Sequence, residues 1–391
     1  MRSSISISPV SGRPDASYHL VFFITGNPGL IDYYDIFLSN LHTLLTSKDD
    51  GDKPSDVVHI WGQNLAGFSD DTTEAGSGRV LFSLEQQIEI LLESVRSKRI
   101  PSGPRASQPY DSIILIGHSV GSYILLEIIS RLRQSSQPME NIKGGILLFP
   151  TVTHIGKSPS GVKISTLFRI PDFPRIASTV AKALMWPVPR VILKSLVGVV
   201  TRMPGEAAEV TTNFLTSRMG IYQALYLAKY EMAEITEDRW DDDLWGIEQP
   251  ASGPESSTPK LVFYFGENDH WVASHTRDEL IAARACRTDQ GNSSKPIMLI
   301  DKDGIDHGFC IKNSETVAEK VTVWVDDILQ ASRGITPVEV VGTHGTIDLD
   351  VPTTGANQDF VDGGYDYKPN TPMEVAAIAS VSRTQLKPLY G

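Results

Sequence analysis

The chain has 391 residues, of which 41% are apolar and 21% are charged, so it can bury a substantial core and is not a wholly disordered protein. Its formal net charge of −12 at pH 7 argues against a nucleic-acid-binding protein, because such proteins need a basic surface to neutralise phosphates. The only two cysteines, Cys286 and Cys310, exclude a disulfide framework and a paired-cysteine zinc site.

The N-terminal residues 1–17 contain no apolar stretch of signal-peptide length, and we expect them to be flexible. A membrane-spanning helix needs about 18 uninterrupted apolar residues. The best candidate, residues 188–200, is broken by Pro189, Arg190 and Lys194. The sequence therefore predicts no transmembrane helix, although the chain can still bind a membrane surface.

From residue 18 onward, short β-rich runs alternate with longer helical patterns. Strands are predicted at residues 20–26, 57–62, 112–117, 145–149, 261–266 and 296–300. Helices are predicted at residues 33–45, 84–95, 120–132, 277–284 and 315–329. Several of the β-rich runs are continuously apolar, as expected for strands that are buried on both faces of a parallel sheet. The alternation predicts an α/β fold with a doubly wound, mostly parallel sheet, formed by residues 18–153 and 246–332.

Two stretches break this alternation. Residues 154–245 contain apolar segments interrupted by prolines and show no clear strand pattern, so we interpret them as a helical insertion that forms a cap or lid. Residues 333–391 are rich in Gly, Thr, Pro and Asp and poor in apolar side chains, which predicts a low-complexity, disordered tail.

The sharpest motif lies between the third predicted strand and the helix that follows it. Its sequence is G-x-S-x-G, formed by Gly117-His118-Ser119-Val120-Gly121. In this context the motif is typical of the nucleophile elbow of α/β-hydrolases, where a strained turn exposes the serine and the next N–H group faces the oxyanion. It predicts Ser119 as a nucleophile and the N–H of Val120 as an oxyanion donor. The alternative is that Ser119 is an ordinary helix-capping serine.

A serine nucleophile needs a histidine base and an acid, which follow it in the order Ser, Asp or Glu, His in this fold. Asp269 directly follows the fifth predicted strand, at the sheet edge where open α/β folds bind ligands. It is our candidate acid, and its alternative role is that of a turn former. The other acidic candidates, which are more typical of solvated charges, are Glu267, Asp238 and residues 241–243.

His307 is the candidate base, because chain order and position remove the other eight histidines. It lies in a glycine-containing loop between the sixth predicted strand and the last predicted helix, and its alternative role is that of a surface histidine. Asp301, Asp303 and Asp306 lie nearby, but their spacing does not match a calcium-binding loop. We therefore expect neither a metal ion nor a cofactor.

The second oxyanion donor is expected in the loop after the first predicted strand. That loop is Thr25-Gly26-Asn27-Pro28-Gly29. Because Pro28 has no N–H group, the predicted donor is the backbone N–H of Asn27, with its side-chain amide as a second candidate. The alternative is a plain Asn-Pro-Gly turn.

Together these motifs resemble the lipid droplet-associated hydrolase family. The specific feature is the pairing of GHSVG with Gly26-Asn27-Pro28-Gly29, which is followed by Tyr33-Tyr34 and Phe37. The resemblance extends over residues 20–329 and implies an α/β-hydrolase fold with Ser119, Asp269 and His307 as the catalytic triad. It also implies action on lipid esters, sterol esters among them, at the cytosolic surface of lipid droplets, with the endoplasmic reticulum as a further location.

The predicted cap contains a segment suited to a lipid surface. Residues 184–194 mix aromatic and aliphatic side chains with cations, as peripheral segments at a membrane interface do. The alternative is that these apolar side chains pack the cap against the sheet. Two other functions remain open, namely an esterase or thioesterase for small soluble substrates and a droplet-surface interaction protein with little turnover.

Overall fold

A single seven-stranded sheet organises the part of the chain that the computed structural model describes, residues 1–9, 14–47, 56–69, 80–246, 258–285 and 295–333. The strand order is β1-β3-β2-β4-β5-β6-β7. The strands are β1 (Ser4–Ile7), β2 (Tyr18–Ile24), β3 (Val57–Gln63), β4 (Ser112–His118), β5 (Ile142–Leu148), β6 (Lys260–Phe265) and β7 (Ile297–Ile300). All neighbouring pairs are parallel except β1 with β3. Every residue of β2 and of β4 is buried, which agrees with their unbroken apolar runs.

Helices cover both faces of this sheet. The helices of the core are α1 (Asp35–Thr46), α2 (Leu84–Ser97), α3 (Val120–Gln134), α9 (Ser274–Arg284) and α10 (Ser314–Ser332). A Cβ atom added to Gly144 of β5 would meet Ile328 of α10, whereas one added to Gly145 would meet Leu125 of α3. Because successive residues of a strand face opposite sides, α3 and α10 lie on opposite faces. The predicted α/β-hydrolase fold class, with its doubly wound and mostly parallel sheet, is confirmed.

The N-terminus differs from the flexible segment expected over residues 1–17. Residues Ser4–Ile7 form β1, which pairs antiparallel with β3 at the edge of the sheet. The alternation of serine and isoleucine has the period of a strand with one buried face, and it buries Ile5. Arg2 pairs with Asp32 and Asp35, which fastens this end of the chain to the start of α1.

Between β5 and β6, the described residues form five further α-helices, which lie within the range predicted for the cap. They are α4 (Pro159–Leu167), α5 (Phe173–Met185), α6 (Arg190–Thr201), α7 (Gly205–Thr216) and α8 (Gly220–Glu234). No single helix among the described residues is long and apolar enough to cross a bilayer. Helices α5 and α6 meet this criterion only when taken together, and they are bent by 114° relative to one another. The predicted tail lies outside the described residues except for Arg333.

Candidate active site

The junction between β4 and α3 holds Ser119 in an uncommon backbone conformation. Its φ is 54° and its ψ is −124°, values that a residue with a side chain rarely adopts. Gly121 allows the close approach of α3 to β2, since a Cβ atom there would lie 2.5 Å from the carbonyl oxygen of Ile24. Val120 begins α3, so its N–H group has no partner within the helix and can face an anion. These features are those of a nucleophile elbow.

The three predicted triad residues meet at the carboxyl edge of the sheet. His307 Nε2 lies 3.0 Å from Ser119 Oγ, and His307 Nδ1 lies 2.7 Å from Asp269 Oδ2. All three residues are buried. The two hydrogen bonds form the Ser–His–Asp sequence that makes a serine hydroxyl nucleophilic. The structure thus brings these side chains together, and their catalytic role stays a prediction.

The carboxyl group of Asp269 is held in its ionised form. Burial alone would raise its pKa, but the charge of His307 and the hydrogen bond from it, together with the N–H of Trp271, lower the pKa below its ordinary value. The N–H of Trp271 donates to Asp269 Oδ1 at 2.8 Å. An ionised Asp269 can hold His307 in the tautomer that accepts the Ser119 proton.

Asn27 lines the same small cavity as Ser119 and His307. Its side-chain Nδ2 donates to the carbonyl oxygen of Ala224 at 3.0 Å and to Glu231 Oε1 at 2.7 Å. Both acceptors belong to α8, so the side-chain amide is already bound and is not the second oxyanion donor that the sequence left open. The backbone N–H of Asn27 remains the candidate donor.

A series of hydrogen bonds, which was not predicted from the sequence, connects His307 to the loop that carries the candidate oxyanion donor Asn27. The N–H of Gly26 donates to Tyr34 Oη at 3.1 Å, and Tyr34 Oη lies 2.7 Å from His118 Nδ1. His118 Nε2 lies 2.9 Å from the carbonyl oxygen of His307. Burial and the nearby charge of His307 lower the pKa of His118 to about 3, so its ring is neutral. The residues of this series that stand out in the sequence are Tyr34, in the aromatic pair Tyr33-Tyr34, and His118, in the G-x-S-x-G motif.

Glu231 is a second residue that sequence reasoning missed. It lines the cavity from α8, and burial raises its pKa to about 7 against the opposing effect of the hydrogen bond from Asn27. The cavity is only about 40 Å³ in volume. This volume suits water, whereas pockets for organic ligands measure about 300–1,000 Å³.

Three of the acids considered as alternatives to Asp269 form ion pairs with arginines outside the candidate active site. Asp238 and Asp242 pair with Arg284, and Asp243 pairs with Arg133. Asp301 accepts hydrogen bonds from Tyr264 and from the N–H of Ile305, and Asp303 pairs with Lys320. No group of three or more His, Cys, Asp or Glu side chains suited to a metal ion occurs in the described part of the chain.

Known proteins match most of the chain. A family model described as lipid-droplet associated hydrolase matches residues 17–310. A mouse (Mus musculus) lipid droplet-associated hydrolase is 26% identical over 79% of this chain and 85% of its own length. The Drosophila melanogaster protein of that name is 26% identical over 81% and 90%, and the Dictyostelium discoideum protein is 22% identical over 78% and 86%.

Solved structures with similar folds include an epoxide hydrolase and a dehalogenase. The juvenile hormone epoxide hydrolase of Bombyx mori has a TM-score of 0.49 and 12% identity, with coverage of 84% of this chain and 74% of that one. A putative ancestral haloalkane dehalogenase has a TM-score of 0.49 and 15% identity, with coverage of 83% and 96%. The family model matches far more than half of the chain. The chain is therefore a hydrolase that belongs to the lipid droplet-associated hydrolase family.

Proposed function

We propose that this hydrolase cleaves lipid esters, sterol esters among them, through a covalent acyl-serine intermediate at the surface of lipid droplets. The observation that carries the proposal is the continuous hydrogen-bonded sequence from Asp269 through His307 to Ser119, in a cavity shared with Asn27. A buried serine in this arrangement attacks an ester carbonyl.

The reaction has two halves. His307 removes the proton of Ser119 as the hydroxyl oxygen attacks the carbonyl carbon, and Asp269 stabilises the imidazolium that forms. The backbone N–H groups of Asn27 and Val120 donate to the negative oxygen of the tetrahedral intermediate, and loss of one such donor in other enzymes costs about 2.7–4 kcal/mol of transition-state stabilisation. His307 then gives its proton to the leaving alcohol, and water repeats the sequence on the acyl-serine.

A fluorophosphonate probe and a panel of lipid esters test the chemistry. Wild-type protein is expected to react with the probe and to release fatty acid, and Ser119→Ala is expected to do neither while it keeps the wild-type unfolding temperature. Ser97→Ala is the matched control, because Ser97 is an exposed serine of α2 whose hydroxyl bonds only within its own helix. Equal labelling of Ser119→Ala and wild type would refute the role of Ser119.

The surface of the cap supports the location. On α6, Leu193 and Val197 are buried, whereas other positions of the helix expose apolar side chains to more than half of their area. They are Val191, Ile192, Leu196, Val199 and Val200, and the turn before α6 adds Trp186, which is 90% exposed. An exposed apolar face of this kind is suited to shallow insertion into a lipid monolayer. The name of the related proteins also associates them with lipid droplets.

Charge substitutions at matched valines test the lipid contact. Val199 of α6 is 77% exposed and Val323 of α10 is 45% exposed. Val199→Glu is expected to reduce binding to triacylglycerol droplets coated with phosphatidylcholine, whereas Val323→Glu binds as the wild type does. Equal binding by all three proteins in a flotation assay would refute contact through α6.

The length of the acyl chain separates this proposal from its two alternatives. A lipid esterase is expected to prefer long-chain esters presented at an interface. A preference for short p-nitrophenyl esters in solution would instead indicate an esterase or thioesterase for small soluble substrates. Droplet binding that survives Ser119→Ala, without hydrolysis of any lipid by the wild type, would indicate an interaction protein.

A further inference from the structure

One carboxyl group beside the candidate active site takes no part in the chemistry described above. Glu231 lies on α8, near its end, and is only 3% exposed. Its Oε1 accepts the hydrogen bond from Asn27 Nδ2 at 2.7 Å. Among the described residues no Lys, Arg or His forms an ion pair with it. Burial of an ionised carboxyl group without a counter-ion is costly, so the surroundings of Glu231 favour its protonated form.

The contact made by Glu231 acts on the loop that carries the candidate oxyanion donor. Pro28 has no N–H group, so the donor of this loop depends on the orientation of the Asn27 backbone. The side chain of Asn27 is fixed at two points of α8, the carbonyl oxygen of Ala224 and the carboxyl group of Glu231. Catalytic hydrogen-bond donors must be held within a fraction of an ångström of their productive position.

We propose that Glu231 is a positioning residue, which holds Asn27 so that its backbone N–H faces the oxyanion formed on Ser119. This inference rests on the proposed serine-hydrolase function. Glu231 does not touch the reacting atoms in this role and acts through the Asn27 side chain. Because both acceptors of the Asn27 side chain belong to α8, the orientation of this loop depends on the position of α8. The oxyanion site is therefore complete only when this helix of the cap is packed against the loop.

The protonated form of Glu231 is the one suited to this role. An ionised carboxylate in the same cavity would repel the developing oxyanion, because like charges interact strongly where water is excluded. Burial raises the pKa of Glu231 to about 7, so the protonated form predominates below neutral pH. Activity is therefore expected to decline above about pH 7 as Glu231 ionises.

Other titratable groups near Glu231 do not obscure this decline. The cavity is also lined by His307, His118, Tyr33, Tyr34 and Cys310. Burial lowers the pKa of His118 to about 3, raises that of Cys310 to about 12 and raises those of both tyrosines. Helices α2, α4, α5 and α7 and the short helix Ile155–Lys157 pack on α8, but no charged side chain from their described residues lines the cavity. Since every variant below retains His307, differences between pH profiles report on position 231.

Two substitutions of Glu231 separate the effect of its hydrogen bond with Asn27 from the effect of its ionisation. Glu231→Gln keeps an oxygen that accepts from Asn27 and removes the titration, so it is expected to retain kcat at pH 6.5 and to lose the decline above pH 7. Glu231→Ala removes the acceptor and is expected to lower kcat about tenfold or more with KM within about twofold of the wild type, since loss of a whole donor costs about 100- to 1,000-fold. Glu234→Gln on the same helix is the matched control and is expected to behave as the wild type does.

A double-mutant cycle tests whether Glu231 acts through Asn27. Asn27→Ala removes the side chain that Glu231 holds but leaves the backbone N–H in place. If the proposal is correct, the double variant has a kcat no lower than that of the less active single variant, because both changes remove the contact between Asn27 and Glu231. Multiplication of the two losses would overturn the proposal.

Two further results separate the possible failures. Failure of the fluorophosphonate probe to label Ser119 in the wild type would refute the proposed function itself. A labelled and active wild type, with Glu231→Ala and Glu231→Gln both unchanged in kcat and in pH profile, would overturn only the role of Glu231. A lower unfolding temperature of Glu231→Ala with unchanged kcat would show a purely structural role and would overturn it as well.

Discussion

At the scale of single residues, the direction of the hydrogen bonds around His118 determines its ionisation. The carbonyl oxygen of His307 can only accept, so His118 Nε2 carries the proton in that contact. His118 Nδ1 then accepts from the hydroxyl of Tyr34, whose oxygen accepts from the N–H of Gly26. A second proton on the ring would oppose this order, and burial penalises its charge.

This arrangement predicts a specific pH dependence of stability. The pKa of His118 is about 3 in the folded chain and about 6.5 when it is unfolded, so the unfolded state binds more protons between these values. The free energy of unfolding is therefore expected to fall with decreasing pH, and by pH 5 His118 alone accounts for a loss of about 2 kcal/mol. Urea unfolding of the wild type and His118→Asn at pH 8 and pH 5 measures the difference.

The expected result is a shallower pH dependence for His118→Asn, even though the variant is less stable at pH 8. His275→Asn serves as the control, because His275 is an exposed histidine. Parallel curves for the wild type and His118→Asn would show that His118 is protonated in the folded chain or does not contribute.

The proximity of Ser119, Asp269 and His307 could be predicted from the sequence because their signals are local. Ser119 lies in a motif, Asp269 directly follows a strand, and His307 lies between the last strand and the last helix. Glu231 could not be predicted in this way. It lies 204 residues from Asn27 along the chain, and on α8 it resembles any other helical glutamate until the fold buries it against the loop.

At the scale of elements, α3 is fixed at two points, by the elbow at its start and by Glu127 at its middle. Glu127 is 7% exposed and accepts from Trp240 Nε1 at 3.0 Å. It also pairs with Arg239 at 2.9 Å and with Arg131 at 3.2 Å. The contacts with Arg239 and Trp240 bind α3 to the segment that leads from the cap back to the sheet, whereas the pair with Arg131 lies within α3.

Removal of this buried carboxylate is expected to destabilise the fold strongly. Glu127→Ala leaves the indole N–H of Trp240 without its acceptor and the guanidinium group of Arg239 without its carboxylate, which costs about 3 kcal/mol. Arg131 keeps its second partner, Glu85. Glu85→Ala removes a side chain that is 50% exposed and pairs with the same Arg131, and it is expected to cost less than 1 kcal/mol. Urea unfolding of the two variants gives the comparison, and equal losses would contradict the importance of burial.

Hydrophobic patterns predicted the strands of the central sheet, but they predicted neither β1 nor the burial of Asp238. The strands of the central sheet were predicted because their apolar runs are continuous, but β1 was missed because a four-residue edge strand leaves little pattern. Asp238 was interpreted as a solvated charge, yet its side chain is 19% exposed and pairs with Arg284. Its burial depends on α9, which is distant in the sequence and close only in the folded chain.

At the scale of the whole molecule, the cap is attached to the core by contacts of different strength. Gln223 of α8 makes hydrogen bonds with both the N–H and the carbonyl oxygen of Phe82, and α8 also holds Asn27. Among the described residues, helix α7 makes one hydrogen bond across the same boundary, between Tyr33 Oη and Thr211 Oγ1 at 2.8 Å. An acyl chain, as the proposed function requires, does not fit a cavity of about 40 Å³, so we expect the cap to move, with α7 separating from the core while α8 stays in place.

The weak attachment of α7 to the core predicts that loss of the hydrogen bond between Tyr33 and Thr211 increases activity. Tyr33→Phe keeps the ring and removes the hydroxyl that bonds to Thr211. Such a bond stabilises the closed cap by about 1 kcal/mol, so its loss increases the open population about fivefold. Hydrolysis of a dispersed long-chain ester without a lipid interface is expected to rise by about that factor.

Two variants decide whether the gain comes from the boundary between cap and core. Thr211→Val removes the partner of Tyr33 and is expected to reproduce the effect, since the Thr211 hydroxyl otherwise donates within α7 to the carbonyl oxygen of Ala207. Tyr226→Phe breaks a tyrosine–tyrosine hydrogen bond that lies wholly inside α8, and it is expected to leave the rate unchanged. If Tyr226→Phe accelerates the reaction as much as Tyr33→Phe does, general loosening of the cap is responsible. If neither Tyr33→Phe nor Thr211→Val accelerates it, the substrate enters by another route.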